Sequence, residues 1–469
     1  MEAIISHFST NKWFVLVLFA GLCLNVTVLA SIHETNIAND EVAYNYLAKN
    51  ILEGRGFISE YGKPTSMRPP LYPLLLVGTY SLFGIDNYKA VWWLQIILHL
   101  ATGFLVYQQG KILFSSRVGL LASGLYIFYP SLIGFNFLLM SETLFNFLFT
   151  FSLFLFSYFL KKDKNFFLLI LSGIMFGLTA LTRTVALPVV GVLALFLLFI
   201  RGWRIENLKS GFLNCLIFLS FFVIIISPWV WRNTKVQGSF TMIDTMGGLN
   251  FMMGNYKYTP LNRAWAAVGL QGKESWAYEL QVTGNGKHMS EKDKQKWATQ
   301  RGLQYIIENP RLTIKRSLIK ALDFWGQERV IIASLLEGHW GKGMRPVVFL
   351  AAGAIFLSYT VLFPTSCFGL GFAYSRTKIF SIFLGLLFLT LTFLHAIVFG
   401  HPRYHLPLIP SMAILSSYAI INWSQLKPCF IKARFTFWLC LIWVLFVAVG
   451  WFRTIFFVDL AKITKGLFF

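Results

Sequence analysis

Residues 68–84 read RPPLYPLLLVGTYSLFG, and the number of membrane crossings depends on how this segment folds. Its apolar part, Leu71 to Gly84, is only 14 residues long and contains Pro73. A helix needs about 20 apolar residues to cross the roughly 30 Å hydrocarbon core of a bilayer. The segment therefore predicts a short helix that lies at the membrane interface and does not cross it.

Eleven other apolar runs are long enough to predict membrane-spanning helices. They are Trp13 to Ile32, Tyr88 to Gly110, Val118 to Ile133, Thr143 to Leu160, Phe166 to Leu181, Val185 to Ile200, Phe212 to Trp231, Pro346 to Phe363, Ile379 to Phe399, His405 to Ile421 and Phe435 to Trp451. Hydrophobic residues make up 56% of the 469 and charged residues 13%, against about 45–50% and about 25% in soluble domains. The composition excludes a soluble protein and predicts an all-α, polytopic membrane protein.

Lysine and arginine are unevenly distributed among the predicted loops. If the N-terminus is inside, the cytoplasmic segments hold 14 basic residues and three acidic ones. The basic ones are Lys12, Lys111, Arg117, Lys161, Lys162, Lys164, Arg201, Arg204, Lys209, Arg376, Lys378, Lys427, Lys432 and Arg434. This positive-inside pattern supports a cytoplasmic N-terminus and the resulting alternation of inner and outer loops. It assigns two long segments, 33–89 and 232–345, to the outer face.

Sequence motifs of several other chemistries are missing. The five cysteines form no CxxC pair, the histidines show no HExxH spacing, and no stretch matches a P-loop or GxGxxG. The sequence therefore indicates neither a disulfide framework, nor a metal knuckle, nor a nucleotide pocket. The formal net charge of +21 needs an explanation, and nucleic acid is a poor one for a membrane protein.

Acidic residues occur at two predicted outer turns. Asp40 and Glu41 follow the first span, and Glu142 begins the fourth. A carboxylate in a partly dry site can act as a general base, and two acids from separate turns can form a paired site with or without a divalent cation. Each acid can instead be an ordinary N-terminal helix residue, which the positive end of the helix favours. Considered one at a time, the residues favour the helix-terminus interpretation.

Four arginines also fall on the predicted outer face: Arg68, Arg183, Arg232 and Arg403. A single arginine at a helix end is commonly an anchor whose head group reaches the interface. Four of them on one face with two acids predict a lipid-phosphate site, because a guanidinium pairs with two phosphate oxygens at once.

Two helices are predicted within the long outer segment, 232–345. Ser290 begins a capping box before an amphipathic run that Asn309 and Pro310 end. The following run, Arg311 to Trp325, predicts a basic amphipathic helix whose charges are Arg311, Lys315, Arg316 and Lys320. Such a helix suits a membrane surface, and the alternative is that it covers the rest of the domain.

The order of these features resembles the GT-C class of glycosyltransferases, which use polyprenyl-phosphate sugars. The resemblance is to bacterial glycosyltransferase family 39, which groups relatives of protein O-mannosyltransferases, the aminoarabinose transferase that modifies lipid A and the rhizobial galacturonosyl transferases. The matching pieces are Asp40-Glu41, Arg68-Pro69-Pro70-Leu71-Tyr72-Pro73 with Leu82-Phe83-Gly84, Ser141-Glu142, Leu181-Thr182-Arg183, Pro228-Trp229 with Arg232-Asn233, and Arg403-Tyr404 with Leu406-Pro407.

The resemblance implies a GT-C transmembrane catalytic domain over residues 1–422. Outer loop 33–89 would carry the acid site and the interfacial helix 71–84, and outer loop 232–345 would be the second large loop. Residues 423–469 would form a cytoplasmic loop and the last transmembrane helix.

The same resemblance implies an inverting sugar transfer on the extracytoplasmic face of the plasma (inner) membrane. The donor would be a polyprenyl-phosphate sugar, and the acceptor a lipid, a glycan or a protein. Asp40 would be the general base, with Glu41 and Glu142 as further catalytic acids. Arg68, Arg183, Arg403 and Arg232 would bind the donor phosphate. Asp40 and Glu142 would be the ligands of a divalent metal ion if one is used.

Two other classes of protein share some of these features. A carrier that flips lipid-linked saccharides would place ionisable residues in mid-membrane and show internal repeats, and neither is evident in the sequence. A polymer ligase shares lipid-phosphate donors and basic outer loops, and the Asp40-Glu41 loop before the Pro-Pro segment argues against it.

The predicted sidedness can be tested by chemical labelling. A cysteine placed near Gly338, in a background without the native cysteines, should react with an impermeant thiol reagent added outside intact cells. A cysteine at Arg117 is the matched control and should react only after permeabilisation. Protection of the cysteine near Gly338 in intact cells would contradict the assignment of residues 232–345 to the outer face.

Overall fold

The computed structural model describes residues 12–456 apart from 61, 162–164, 201, 203, 285–288, 342–344, 375–376, 426–427, 429 and 432. Six residues of the predicted cytoplasmic set lie outside the described residues: Lys162, Lys164, Arg201, Arg376, Lys427 and Lys432. The described chain is all-α, and its bridged backbone outside helices consists of two isolated pairs, Ile58 with Pro64 and His339 with Gly341. The predicted fold class is confirmed.

The first half of the chain forms ten helices within the described residues. They are α1 (Lys12–Ser31), α2 (Asp40–Leu52), α3 (Leu71–Phe83), α4 (Tyr88–Leu113), α5 (Ser116–Ile127), α6 (Pro130–Phe135), α7 (Glu142–Lys161), α8 (Phe166–Thr182), α9 (Ala186–Phe199) and α10 (Ile205–Gln237).

The second half begins with the long outer segment and returns to long apolar helices. Its helices are α11 (Gly247–Met253), α12 (Trp276–Gly284), α13 (Glu291–Glu308), α14 (Pro310–Phe324), α15 (Val330–Leu336), α16 (Arg345–Tyr374), α17 (Lys378–Ile397), α18 (Ile409–Ile421) and α19 (Arg434–Thr454). A 3₁₀ segment, Pro402–Leu408, leads directly into α18.

Eight helical stretches in the described part of the chain are long and apolar enough to cross a membrane, and each coincides with a predicted run. They are α1, α4, α7, α10, α16, α17, the continuous stretch Pro402–Ile421, and α19. The runs that became α8 and α9 form helices of 17 and 14 residues. The total of eleven spans therefore stays a prediction.

The predicted span Val118 to Ile133 is wrong as a single helix. The structure ends α5 at Ile127 and starts α6 at Pro130, with Tyr129 in an extended conformation between them. A proline has no N–H to continue the helix and disfavours helical backbone in the residue before it. Pro130 therefore starts a new helix at its first position and does not continue the old one.

The short helix expected after Pro69-Pro70 is confirmed as α3. Pro73 lies within its first turn, where the missing N–H has no intrahelical partner to lose. One face of α3 is buried through Tyr72, Leu76 and Tyr80, which share a hydrophobic cluster with Tyr44 of α2. The helix thereby holds α2 against the body of the protein, and its depth relative to a bilayer stays a prediction.

Ser290 caps the N-terminus of α13 as predicted, but the predicted polar face of α14 is wrong at two positions. The Ser290 hydroxyl accepts a hydrogen bond from the Asp293 N–H. Arg316 and Lys320 of α14 are buried, whereas Ile314 and Leu318 are exposed.

Arg316 and Lys320 are buried where they donate hydrogen bonds to oxygen atoms of the long outer segment and of the end of α17. The Arg316 guanidinium donates to the carbonyls of Tyr256 and Thr259 at 3.0 and 2.7 Å. The Lys320 ammonium donates to Asn255 Oδ1 at 2.8 Å and to the Ile397 carbonyl at 3.1 Å. Helix α14 therefore holds the turn at 255–259 against the membrane domain through these hydrogen bonds.

Removing one of these charges should destabilise the protein. We expect Lys320→Met to lower the free energy of unfolding by about 1–3 kcal/mol, because two buried acceptors lose their donor. The control is Lys315→Met on the exposed side of the same helix, for which we expect a change within about 0.5 kcal/mol. Unfolding in mixed micelles measures both, and equal effects of the two substitutions would contradict the anchoring role.

Candidate active site

A tight turn at the start of α2 positions Asp40 in the site. Asn39 precedes it with a φ of 52°, a left-handed value that asparagine adopts more readily than most residues. Asp40 is then the first residue of α2, where the free backbone N–H groups favour a negative charge.

Two arginines from distant parts of the chain bind the Asp40 carboxylate. Arg68 Nη2 lies 2.6 Å from Oδ1, and Arg403 Nη2 lies 3.2 Å from Oδ2. Arg68 comes from the loop before α3, and Arg403 comes from the 3₁₀ segment before α18. Each carboxylate oxygen therefore faces its own guanidinium.

Glu142 forms the second acidic position of the same cluster. It is the first residue of α7, and its Oε1 lies 2.6 Å from Nη1 of Arg183, which follows the last residue of α8. Arg403 Nε lies 3.9 Å from the same oxygen. Arg403 therefore stands between the two carboxylates and joins the Asp40 pair to the Glu142 pair.

Aromatic rings enclose the guanidinium groups. Arg68 lies over the ring of Tyr44, with 5.6 Å from its central carbon to the ring centroid. Arg183 and Arg403 both lie over Tyr404, at 5.8 and 5.4 Å. Ser141 accepts hydrogen bonds from Tyr44 and Arg183 at 3.4 and 3.3 Å. The rings limit the directions in which the arginines can move.

Close backbone packing fixes the segment that carries Arg403. A Cβ at Gly400 would lie 1.9 Å from the Lys320 carbonyl oxygen, and one at Gly254 would lie 1.8 Å from that of Val398. Both positions therefore require glycine. The imidazole of His401 then accepts a hydrogen bond from the Arg403 N–H, which starts the 3₁₀ segment.

The charges of the cluster favour an anion over a cation. Asp40 and Glu142 supply two negative charges, and Arg68, Arg183 and Arg403 supply three positive ones. Burial opposes ionisation of Asp40, but the nearby Arg68, Arg403 and Arg183 outweigh it and lower the pKa of this carboxyl to about 2.

Among the described residues, no group of three histidine, cysteine or acidic side chains is placed to hold a metal ion. Because guanidiniums already bind both carboxylates, the residues do not fit a divalent cation.

Glu41 does not join this cluster. Its two oxygens accept hydrogen bonds from the backbone N–H groups of Leu139 and Ala38, at 2.8 and 3.1 Å. The side chain is buried, and burial raises the pKa of Glu41 to about 7. Glu41 therefore links the start of α2 to the turn before α7, apart from the Asp40 cluster, and its catalytic role stays a prediction.

Arg232 also lies apart from the predicted phosphate-binding arginines. Its guanidinium donates to the carbonyl oxygens of Thr65 and Phe57 and lies over the rings of Phe57 and Trp229. All these partners belong to the protein itself. Arg232 therefore attaches the first outer loop to the end of α10.

Three parts of the arrangement were not found by sequence reasoning. Asp244 accepts a hydrogen bond from Thr184, next to Arg183, at 2.7 Å, and burial raises the pKa of this carboxyl. Glu291, the first residue of α13, accepts hydrogen bonds from Thr65, Ser66, Gln237 and Thr245. These contacts join residues far apart in the chain, and no local motif marks them.

The third part is a buried polar row on α7. Asn146 and Thr150 follow Glu142 at intervals of four residues and therefore share one face of the helix. Glu142 Oε2, both amide atoms of Asn146 and the Thr150 hydroxyl are buried without a hydrogen-bond partner in the structure. Polar residues at intervals of four after Glu142 are the sequence signal that could have revealed this row.

Comparison with known proteins shows which family model and which fold this chain resembles. The family model described as dolichyl-phosphate-mannose-protein mannosyltransferase matches residues 67–231, about a third of the chain. The match includes Arg68, Glu142 and Arg183, and it lies between Asp40 and Arg403. No curated protein sequence matches the chain.

Two solved structures share the fold at low sequence identity. ArnT from Cupriavidus metallidurans, bound to undecaprenyl phosphate, has a TM-score of 0.52 and 14% identity, and the likeness covers 89% of this chain and 62% of ArnT. The oligosaccharyltransferase AglB from Archaeoglobus fulgidus, in complex with an inhibitory peptide and a dolichol-phosphate, has a TM-score of 0.51 and 14% identity over 93% of this chain and 55% of AglB. The chain thus spans less than two thirds of either protein. These likenesses show the GT-C fold, and with the family match they confirm the predicted resemblance to GT-C glycosyltransferases.

The position of Glu41 predicts a structural defect upon its removal. We expect Glu41→Ala to lower the free energy of unfolding by about 2–4 kcal/mol, because two backbone N–H groups lose their acceptor. Glu34→Ala, at an exposed acid six residues from Asp40, is the control and should be nearly neutral. Unfolding in mixed micelles measures both changes. A stable Glu41→Ala protein with abolished activity would contradict the structural role and return Glu41 to the catalytic group.

Proposed function

We propose that the protein is a membrane glycosyltransferase that moves a sugar from a polyprenyl phosphate to a lipid, glycan or other cell-surface acceptor. The observation that carries this proposal is the placement of Asp40 between Arg68 and Arg403, with the Glu142–Arg183 pair beside it. This arrangement combines a carboxylate that can accept a proton with guanidiniums that can accept a phosphate.

The three guanidiniums suit the phosphate of the donor. Each has a planar fork of N–H groups that can pair with two phosphate oxygens. Transfer breaks the bond between the anomeric carbon and the phosphate oxygen, and the electron pair leaves with the phosphate. Positive groups fixed at this position stabilise the developing charge. The polyprenyl phosphates in the AglB and ArnT structures support a donor of this chemical class.

Asp40 is proposed as the general base. The acceptor hydroxyl forms its new bond to the anomeric carbon on the face opposite the departing phosphate, which inverts the configuration, and Asp40 takes the hydroxyl proton. With a pKa of about 2, Asp40 is a weak base while both guanidiniums hold it. A donor phosphate competes for Arg68 and Arg403, and this competition frees the carboxylate and raises its basicity.

Glu142 and the polar row below it have a different proposed part. Glu142 positions Arg183 and Arg403, since both guanidiniums approach its Oε1. Asn146 and Thr150 lie on the same buried face of α7, and a hydrogen-bonding partner for their polar groups would be favourable, because a buried polar group without one is costly.

The placement of charges favours an enzyme over a carrier. Asp40 and Glu142 are the first residues of their helices, and Arg183 directly follows α8. Ionisable groups that carry a substrate across would lie near the middle of the spans. With the positive-inside distribution, this placement supports an active site on the extracytoplasmic face of a plasma (inner) membrane.

Substitution of Asp40 tests the proposal. We expect Asp40→Asn to lower sugar transfer about 10²–10⁴-fold, since the amide cannot take the proton. The assay uses purified full-length protein in liposomes, a panel of radiolabelled undecaprenyl-phosphate sugars, and an envelope lipid and glycan fraction as acceptor. Glu60→Gln, at an exposed acid of the same outer loop, is the control and should retain the wild-type rate.

Two outcomes would contradict the assignment. Transfer by Asp40→Asn at the wild-type rate would remove Asp40 as the base. Movement of the labelled lipid across the bilayer without cleavage of its sugar–phosphate bond would identify a carrier.

A further inference from the structure

A cleft of about 350 Å³ opens in the long outer segment, away from the Asp40 cluster. One wall is α12, with Tyr278 and Glu279, and the opposite wall is α13, with Arg301 and Tyr305. The turn at residues 256–258 closes the end of the cleft. This volume lies within the range of about 300–1,000 Å³ that is usual for small-molecule sites.

Four tyrosine rings line the cleft: Tyr256, Tyr258, Tyr278 and Tyr305. Two are held firmly, since the Tyr256 hydroxyl donates to the Glu274 carbonyl and the Arg316 guanidinium lies over the Tyr305 ring. Tyr258 is half-buried and Tyr278 exposed. A tyrosine presents an apolar face together with a hydroxyl that both donates and accepts.

A row of polar side chains runs along the cleft between these rings. Arg301 donates to Glu279 Oε1 at 2.8 Å and to Gln304 Oε1 at 3.0 Å. Gln304 in turn donates to Glu308 Oε1 at 2.8 Å. Arg301 is thus paired with Glu279, and the row offers both hydrogen-bond donors and acceptors along the cleft.

We infer that this cleft binds a saccharide chain, and that this chain is the acceptor of the transfer. A pyranose ring has an apolar C–H face that can lie against a tyrosine ring, and its hydroxyl groups both donate and accept hydrogen bonds. The accessible rings of Tyr258, Tyr278 and Tyr305 supply the first kind of contact, and the row from Glu279 to Glu308 supplies the second. Binding of a saccharide stands on the cleft alone, whereas its role as acceptor rests on the proposed function.

The cleft is joined to the Asp40 cluster by one hydrophobic cluster. Tyr256 belongs to it, and Tyr258 packs against it from the cleft side. Phe399 also belongs to it, and Tyr404, whose ring lies under Arg183 and Arg403, packs against it. A saccharide in the cleft is therefore held by the same packed unit that positions the arginines.

Binding is tested separately from catalysis. Detergent-purified full-length protein carrying Asp40→Asn, which prevents turnover, is applied to an array of immobilised oligosaccharides and, in parallel, to an array of immobilised peptides. We expect oligosaccharide binding to fall at least tenfold when Tyr258→Ala and Tyr278→Ala are added together. Phe240→Ala removes an exposed ring of the same outer segment that does not line the cleft, and it should leave binding unchanged.

The outcomes separate the two proposals. Absence of oligosaccharide binding, equal binding by the double-tyrosine variant, or binding of peptides alone would overturn the saccharide site. These results would leave the Asp40→Asn transfer experiment unaffected. An unchanged melting temperature of the double-tyrosine variant ensures that a loss of binding reports on the cleft.

In the active protein, with Asp40 intact, the acceptor role has its own readout. The double-tyrosine variant should raise the KM for a bound oligosaccharide acceptor at least tenfold and leave the KM for the undecaprenyl-phosphate sugar unchanged. An unchanged acceptor KM would overturn the acceptor role while leaving saccharide binding in place.

Discussion

The pairing of Asp40 and Glu142 with three arginines is the interaction around which the structure is organised. Charged groups near the edge of an apolar helix bundle are costly unless oppositely charged groups lie against them. The five residues come from the starts of α2 and α7, the end of α8 and the loops before α3 and α18. Their pairing therefore requires these helix ends to lie together, so the site and the fold depend on each other.

Contacts among the outer loops help to hold these helix ends together. Glu291 joins Thr65 and Ser66 of the first loop to Gln237 and Thr245. Arg232 binds the same loop from the end of α10. Because Arg68 lies two residues after Ser66, the contacts of Thr65 and Ser66 limit where its guanidinium can reach. Buried polar groups of this kind favour one arrangement of the loops over others.

Sequence reasoning was most successful where the chemistry of one segment decided the outcome. The long apolar runs predicted the membrane helices, the Pro-Pro segment predicted α3, and the Ser290 capping box predicted α13. It was less successful for single charges. Glu41, Arg232, Arg316 and Lys320 carry the residue types of a site or a polar surface, yet each of them binds at least one backbone group inside the protein. A charged side chain in a sequence does not reveal whether its partner is a ligand, water or a carbonyl from another loop.

The sequence by itself determined the membrane class, the long helices and the candidate acids and arginines, because length, hydropathy and proline placement act locally. Tertiary structure decided which of those charges meet. Asp40 and Arg403 are 363 residues apart, and their contact exists only because α2 and the 3₁₀ segment before α18 pack at the same end of the bundle. The same holds for the tyrosine cleft, whose walls come from three separate segments. Contacts between distant segments depend on how helices pack, and packing is a property of the whole chain that no local pattern records.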